Sequence, residues 1–292
     1  MRLRILACIV LTLSSTFSFQ AQTTRVFTVA HQDDWQLFMN PNVFNSLQND
    51  KDKTVIIHTT AGDAGAGMGR DAYYKAREEG AKRALRFLSN AYRSGAGLGD
   101  EMTREMVKIG AHELLRYRYR NAELYFMRLP DGNGDGSGYP IHEQKSLAKF
   151  YAREVVDFKA IDNSTTYTNK EDLLGTLREL IKSVHTTDSL QIHLSELDPT
   201  LNVDDHSDHQ TTAKFVKEAV VGHFKGEFYY YINYQTGNLE PNLEPNELLI
   251  SAGCWGATTS GLGDYRHSST WDDTHNQWLS RQYFRVVPIG VR

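Results

Sequence analysis

The chain has little proline, glycine or cysteine and no excess of positive charge. Its 292 residues include 7 prolines and 22 glycines, and 11% are aromatic, which excludes collagen-like and disordered chains. The formal net charge of −4 provides no basic surface of the kind that binds nucleic acid. With 40% hydrophobic and 23% charged residues the composition is globular, and we expect one domain because no linker interrupts the sequence.

A hydrophobic stretch without charge occurs at the start of the chain. It runs from Ile5 to Phe19, follows Arg2 and Arg4, and precedes the polar residues 20–24. Because a bilayer span needs roughly 20 apolar residues, this stretch is too short to cross a membrane. It predicts a signal peptide over residues 1–22, removed on export to the periplasm or the exterior, with no stable membrane insertion. The alternative is a buried first strand or helix.

The two cysteines are Cys8 and Cys254. If Cys8 leaves with the signal peptide, no intramolecular disulfide can form. Cys254 lies in the small apolar segment 251–255 without a histidine nearby in sequence, so we expect a packed side chain rather than a nucleophile.

Short β-rich segments alternate with amphipathic helices along most of the chain. The expected strands are 25–30, 54–59, 123–129, 190–194 and 228–234, and the expected helices are 72–88, 172–184 and a segment after residue 209. This order predicts an α/β fold with a mostly parallel, Rossmann-like sheet and helices on both faces, in one domain over residues 23–292. Such sheets collect ligand-binding groups beyond the carboxyl ends of their strands. No element is predicted for the tail from Ala252 onward.

Two clusters of histidine and aspartate could bind a metal ion. His31, Asp33 and Asp34 follow the first predicted strand, and residues 205–209 (Asp-His-Ser-Asp-His) open a predicted helix. Two histidines and one aspartate form a common zinc ligand set that leaves a position for water. Each cluster alone has an ordinary alternative, since aspartate-rich loops and helix-capping histidines are common at protein surfaces.

These two clusters resemble the two sequence hallmarks of the PIG-L/LmbE-type zinc-dependent N-deacetylases. The family has Ala-His-Pro-Asp-Asp early and His-Pro-Asp-His later, and this chain has Ala-His-Gln-Asp-Asp at 30–34 and His-Ser-Asp-His at 206–209. The resemblance continues through residues 59–65 and the following helix to about Tyr234. Gln32 replaces the family's proline, Trp35 stands where the family commonly has glutamate, and Gly80 replaces a glutamate in the helix.

The resemblance implies a role for each site residue. The metal would be Zn²⁺, or another divalent ion that accepts the same ligands, held by His31, Asp34 and His209. Asp33 would be the general base that deprotonates the attacking water. His206 would stabilise the oxyanion or protonate the leaving amine, and Asp208 would orient the His206 ring.

Two further residues are candidate substrate contacts. Arg77 aligns with the arginine of the family's helix motif Arg-x-x-Glu, and it either binds substrate or is a solvated helix charge. Trp35 either stacks on a sugar face or fills the core.

By this resemblance the protein would be an exported zinc hydrolase that removes an acetyl group from an N-acetylated amino sugar or glycoconjugate. Its partner would be a small molecule or a glycan, and the sequence leaves the oligomeric state open. Hydrolysis of another amide is one alternative, and a non-catalytic carbohydrate-binding protein with the same fold is another. The carboxylate of Asp33 distinguishes an enzyme from such a binding protein, because a non-catalytic binder needs no free carboxylate beside its metal ligands.

Other motifs also contain metal-binding residue types. Asp131, Asn133 and Asp135 resemble the first half of a calcium loop, although its twelfth position is His142 rather than glutamate. A glycine-rich turn without an ion is the alternative. The residues around His267 and the segment 271–275 could line the pocket or bind a second ion, or form a polar surface loop. His58 is expected to be a structural strand-end histidine, with a pocket role as the alternative.

Overall fold

The computed structural model describes residues 22–69, 72–93, 99–187 and 189–290. The predicted signal peptide lies, except for Gln22, outside these residues. Within them, no helix is both long enough and apolar enough to serve as a membrane span.

Ten strands and eight α-helices follow one another along the described chain. The strands are β1 (Thr23–Val29), β2 (Lys53–Thr60), β3 (Thr103–Ile109), β4 (His112–Tyr119), β5 (Ala122–Leu129), β6 (Phe158–Lys159), β7 (Thr166–Tyr167), β8 (Ser189–Ser195), β9 (Glu227–Tyr231) and β10 (Phe284–Pro288). The helices are α1 (Asp34–Phe38), α2 (Asn42–Gln48), α3 (Tyr73–Asn90), α4 (Leu147–Tyr151), α5 (Lys170–Val184), α6 (Ser207–Val220), α7 (Pro245–Asp264) and α8 (Asp273–Asn276).

Eight strands form one sheet in the order β10-β9-β8-β1-β2-β5-β4-β3, and β6 and β7 form a small hairpin. The five central strands are parallel, while β10 at one edge and β4 and β3 at the other pair antiparallel. Strands β1 and β2 are buried along nearly their whole length, as expected for parallel strands covered on both faces. The predicted α/β fold with a mostly parallel sheet is confirmed.

Hydrophobic cores lie on both faces of the sheet, because successive residues of each strand point to opposite sides. Val26 and Val55 face the core built with α4, α5 and α6. Phe27 and Ile56 face the core that includes side chains of α2, α3 and α7. Helices therefore cover both faces, as predicted. Cys254 of α7 is fully buried in the second core, in agreement with a packing role.

The C-terminal tail forms a long helix that the sequence pattern did not predict. Helix α7 packs along α3 at two glycines, Gly80 and Gly261. A Cβ at Gly80 would lie 2.7 Å from the carbonyl oxygen of Thr258, and one at Gly261 would lie 2.4 Å from the backbone nitrogen of Gly80. The backbones thus approach too closely for a larger side chain, which explains why glycine stands at position 80 in this chain.

Candidate metal centre and active site

Three predicted ligands converge at the carboxyl edge of the parallel strands. Strands β1 and β8 are parallel neighbours, so the loop after β1 and the segment between β8 and α6 meet at the same edge. One oxygen or nitrogen atom from each of His31, Asp34 and His209 lies within 4.8 Å of the others, and all three residues are buried. Distant parts of the sequence therefore form one cluster.

The distances within this cluster fit a shared cation. The Nδ1 of His31 lies 3.1 Å from the Nε2 of His209 and 3.5 Å from the Oδ1 of Asp34. The Nε2 of His209 lies 3.0 Å from the same Asp34 oxygen. Atoms that each lie ~2.0–2.1 Å from a tetrahedral zinc ion are roughly 3.3 Å apart, which matches these separations.

Hydrogen bonds behind the ligands direct their lone pairs into the cluster. The Nδ1 of His209 lies 2.8 Å from the Oδ1 of Asp205. A proton shared with this carboxylate leaves the lone pair of Nε2 facing Asp34 and His31. The Oδ2 of Asp34 accepts a hydrogen bond of 2.8 Å from the backbone N–H of His31. The donor set therefore presents two imidazole nitrogens and one carboxylate oxygen to the same point.

The electrostatics of the cluster also favour a positive charge. Burial acts to lower the pKa of His31, but the carboxylates around it, Asp34 first, raise that pKa to about 9. The pKa of His209 is likewise held well above its ordinary value, against burial, by Asp34 and Asp205. A divalent cation satisfies the same negative potential, so the residues fit a zinc-type metal.

Asp205 is a site residue to which the sequence assigned no role. Its Oδ2 accepts hydrogen bonds from the side-chain amides of Asn202 at 2.8 Å and Asn233 at 3.0 Å, while its Oδ1 holds His209. Its position four residues before a ligand, at the start of the same helix, was the available signal. Asn233 follows β9 and carries no recognisable motif.

The carboxylate of Asp208 lies near a different histidine from the one that it was predicted to orient. Its carboxylate accepts a hydrogen bond of 2.8 Å from the backbone of Gly132 and lies 3.5 Å from the Nε2 of His31. Asp131 lies 3.9 Å from the same nitrogen. The contact of Asp208 with His206 is a hydrogen bond from the backbone N–H of Asp208 to the Nδ1 of His206. Both carboxylates thus lie near the Nε2 of His31, Asp131 from the loop after β5 and Asp208 from the first turn of α6.

His206 caps helix α6 beside the cluster. Its Nδ1 accepts a hydrogen bond of 3.1 Å from the backbone of Asp208, and its ring centroid lies 4.6 Å from that of His31. Burial, together with the neighbouring His31 and His209, lowers the pKa of His206 to about 2. A neutral ring that accepts at Nδ1 carries its proton on Nε2, so His206 can donate a hydrogen bond from that atom.

Asp33 lies beside the cluster and pairs with Arg77. The guanidinium of Arg77 donates to the Oδ1 of Asp33 and, at 2.8 Å, to the carbonyl oxygen of Gly62. Although burial opposes the charged form, Asp33 holds the pKa of Arg77 above its ordinary value. The side chain of Arg77 is only 12% exposed, so the alternative of a solvated helix charge is wrong.

Trp35 is placed in the core rather than in a pocket. Its side chain is fully buried and packs in the cluster that includes Phe27, Val43 and Leu85. No ring face is available for a sugar in this arrangement, so the predicted stacking contact of Trp35 is replaced by the core-filling alternative.

The residues of the predicted calcium loop do not share one environment. Asp131 faces His31, whereas Asp135 is exposed and accepts a hydrogen bond from the backbone of Ser137, and His142 bonds to the buried Asp63 at 2.7 Å. Calcium at Asp131, Asn133 and Asp135 stays a prediction.

The His58 ring stacks on Phe126, bonds to the carbonyl of residue 125, and has a pKa lowered to about 4 by burial.

Aromatic residues from the part of the chain after β9 lie next to the cluster. Tyr234 lies edge-on to His209, with 5.3 Å between ring centroids, and stacks on Trp278 at 5.3 Å. Phe38 of α1 contacts both of these aromatic rings. His275 stacks on the buried Trp255 and bonds to Asp272. Among the described residues, the groups that converge for a metal include neither Asp272 nor His275.

Comparison with known proteins agrees with this geometry. The model of the PIG-L family, described as GlcNAc-PI de-N-acetylase, matches residues 26–220, which is well over half of the chain and includes both histidine–aspartate clusters. The chain belongs to the PIG-L family. Membership in this family, together with the buried cluster, supports a hydrolase of the deacetylase type. No curated protein matches the chain by sequence.

Several solved structures are similar to this member of the PIG-L family at low sequence identity. The N,N′-diacetylchitobiose deacetylase of Pyrococcus horikoshii is 14% identical, with a TM-score of 0.47, 92% of this chain covered and 85% of that one. The 4-carboxy-2-hydroxymuconate hydratase of Pseudomonas putida is 13% identical, with a TM-score of 0.45 and coverages of 88% and 82%. A deacetylase of teicoplanin biosynthesis is 14% identical, with a TM-score of 0.42 and coverages of 83% and 89%.

Proposed function

We propose that this protein is an exported, zinc-dependent hydrolase that removes the acetyl group from an N-acetylated amino sugar or glycoconjugate. The observation that carries the proposal is the convergence of His31, Asp34 and His209, while the preceding residue Asp33 is not among them and pairs with Arg77. Export rests on the predicted signal peptide over residues 1–22.

Zinc in this cluster would supply a Lewis acid that polarises the amide carbonyl and lowers the pKa of a nearby water. The protein's residues supply the proton transfers and the orientation. Asp33 accepts the proton of the attacking water and returns it to the leaving amine. Arg77 holds the Asp33 carboxylate in a fixed position through its ion pair, which favours transfer in one geometry.

His206 and the carboxylates behind the ligands complete the machinery. The Nε2–H of His206 donates to the carbonyl oxygen as negative charge develops there. Asp205 orients the ring of His209, and Asp208 orients the ring of His31, so that both lone pairs face the same point. The carboxylates of Asp205 and Asp208 are fully buried, as expected for a preorganised site.

The proposal is tested by measuring free amine released from N-acetylglucosamine and from its oligomers. Purified protein is assayed as isolated, after treatment with a chelator, and after zinc is added back. We expect activity in the first sample, loss in the second and recovery in the third. Activity that survives removal of the metal would contradict the mechanism.

Binding without turnover is the competing function. A carbohydrate-binding protein with this fold would retain affinity for acetylated sugars but release no amine in any of the three samples. The ion pair of Asp33 with Arg77 favours the enzyme, because it positions a carboxylate that a binding protein does not require.

A further inference from the structure

The loop that follows α7 emerges beside the metal cluster. Helices α3 and α7 run antiparallel: Gly253 lies against Phe87 near the end of α3, and Thr258 lies against Gly80 in its middle. The end of α7 therefore lies near the start of α3 at Tyr73. The ring centroids of His267 and Tyr73 are 4.9 Å apart, which places the loop 265–272 at this end.

One flank of the loop contacts the side of the site that contains the candidate base. The guanidinium carbon of Arg77 lies 5.6 Å from the ring centroid of Tyr73, and Arg77 pairs with Asp33. His267, Tyr73, Arg77 and Asp33 thus form a continuous series of contacts from the loop to the site.

The other flank contacts the side of the site that contains His209. His275 lies edge-on to Trp278 at 5.8 Å, and Trp278 stacks on Tyr234, which packs against His209. The segment between His267 and His275 therefore joins two series of contacts, one to the base and the other to a metal ligand. The segment is therefore connected through side-chain contacts to both sides of the site.

Trp271 is exposed in the middle of this segment. Its side chain is 49% exposed, although the residues beside it are fixed: the buried Trp255 donates from Nε1 to the carbonyl of Thr270 at 3.3 Å. The Asp272 carboxylate accepts from the backbone of His275 at 3.0 Å and caps α8. An anchored loop thus presents a large apolar ring to solvent, next to two aspartates at 272 and 273.

We propose that Trp271 forms an outer sugar subsite for the same substrate whose N-acetyl group is hydrolysed at the metal cluster. Sugar rings have an apolar C–H face, which matches the exposed face of an indole ring. The inference rests on the proposed function and narrows it. The substrate is a glycan of at least two sugar rings, and a free monosaccharide is the poorer substrate.

The test compares Trp271→Ala with the wild type on N-acetylglucosamine and on its β-1,4-linked trimer. We expect kcat/KM for the trimer to fall roughly tenfold, mainly through KM, while the monosaccharide value is unchanged. Trp271→Phe should retain most of the trimer activity. Tyr92→Ala is the matched control, because this 77% exposed aromatic lies just beyond the far end of α3.

A second readout separates this inference from the proposed function. Binding of the trimer is measured by calorimetry on both proteins, with zinc content and thermal unfolding as checks on folding. If Trp271→Ala binds the trimer more weakly than the wild type does, the subsite is supported, whether or not amine is released. Absence of amine release would contradict only the proposed function. Equal trimer binding by the two proteins, or equal wild-type kcat/KM for both sugars, overturns the inference.

Discussion

The part of the chain that matches the PIG-L model and the part that follows it contribute differently to the site. Residues 26–220 provide all three candidate ligands, together with Asp33 and His206. Residues 221–290 provide Asn233, which holds Asp205, and the aromatic contacts of Tyr234 and Trp278. The first region therefore contains all the candidate ligands and the candidate base, whereas the second contacts Asp205 and His209 from outside the family match.

The largest expected effect comes from a change within the first region. His209→Ala removes a nitrogen ligand and should abolish both zinc binding and amine release. Zinc per protein is measured by elemental analysis after gel filtration. Asp205→Asn is the graded comparison: it keeps the ligand but weakens its orientation, and should reduce metal affinity by roughly 10- to 100-fold. Unchanged zinc content in His209→Ala would remove this histidine from the ligand set.

A smaller effect is expected when the base alone is changed. Asp33→Asn should retain zinc but lower kcat by roughly 100-fold or more, because the amide cannot accept the proton. The measurement is kcat together with zinc content.

The control for this variant is Asp50→Asn. This variant also removes a carboxylate that is paired with an arginine, Arg93. Asp50 lies just before β2, however, at the amino ends of the parallel strands and away from the candidate site. Its kcat should match the wild type. If Asp33→Asn also retained full turnover, Asp33 would not be the base.

The smallest effect is expected at the contact between the two regions. Gly261→Ala introduces a Cβ against the backbone of Gly80 and should destabilise the protein by about 1–3 kcal/mol, measured by denaturant unfolding. Gly263→Ala is the matched control, because Gly263 lies in the same helix and a Cβ added there has no neighbouring atom within 4 Å. Equal stability of the two variants would show that the close approach of α3 and α7 is not required.

The sequence predicted the structure best where residues able to bind a metal lie next to a strand or helix with a clear hydrophobic pattern. Periodicity predicted the five central strands and the mostly parallel sheet, and the resemblance to the PIG-L family implied the set His31, Asp34 and His209, which the structure brings together. Helix α7 was missed because its second half is rich in glycine, serine and threonine, which have low helix propensity, and packing on α3 outweighs that preference.

The contacts behind the ligands could not be read from local patterns. Asp208 was assigned to His206, its neighbour in sequence, but its carboxylate lies against His31 because β1 and β8 are adjacent in the sheet. Asp131 reaches the same ring from the loop after β5. These pairings depend on sheet order, which brings together residues separated by more than 70 positions.

The hydrogen bond from Asn233 to Asp205 has a consequence for shortened forms of the protein. A chain cut after residue 220 would retain every candidate metal ligand and still lose one of the two asparagine amides that hold the carboxylate behind His209. The portion that matches the family, taken alone, would therefore contain the candidate ligands with less support behind His209. The boundary of the family match does not coincide with the boundary of the candidate site.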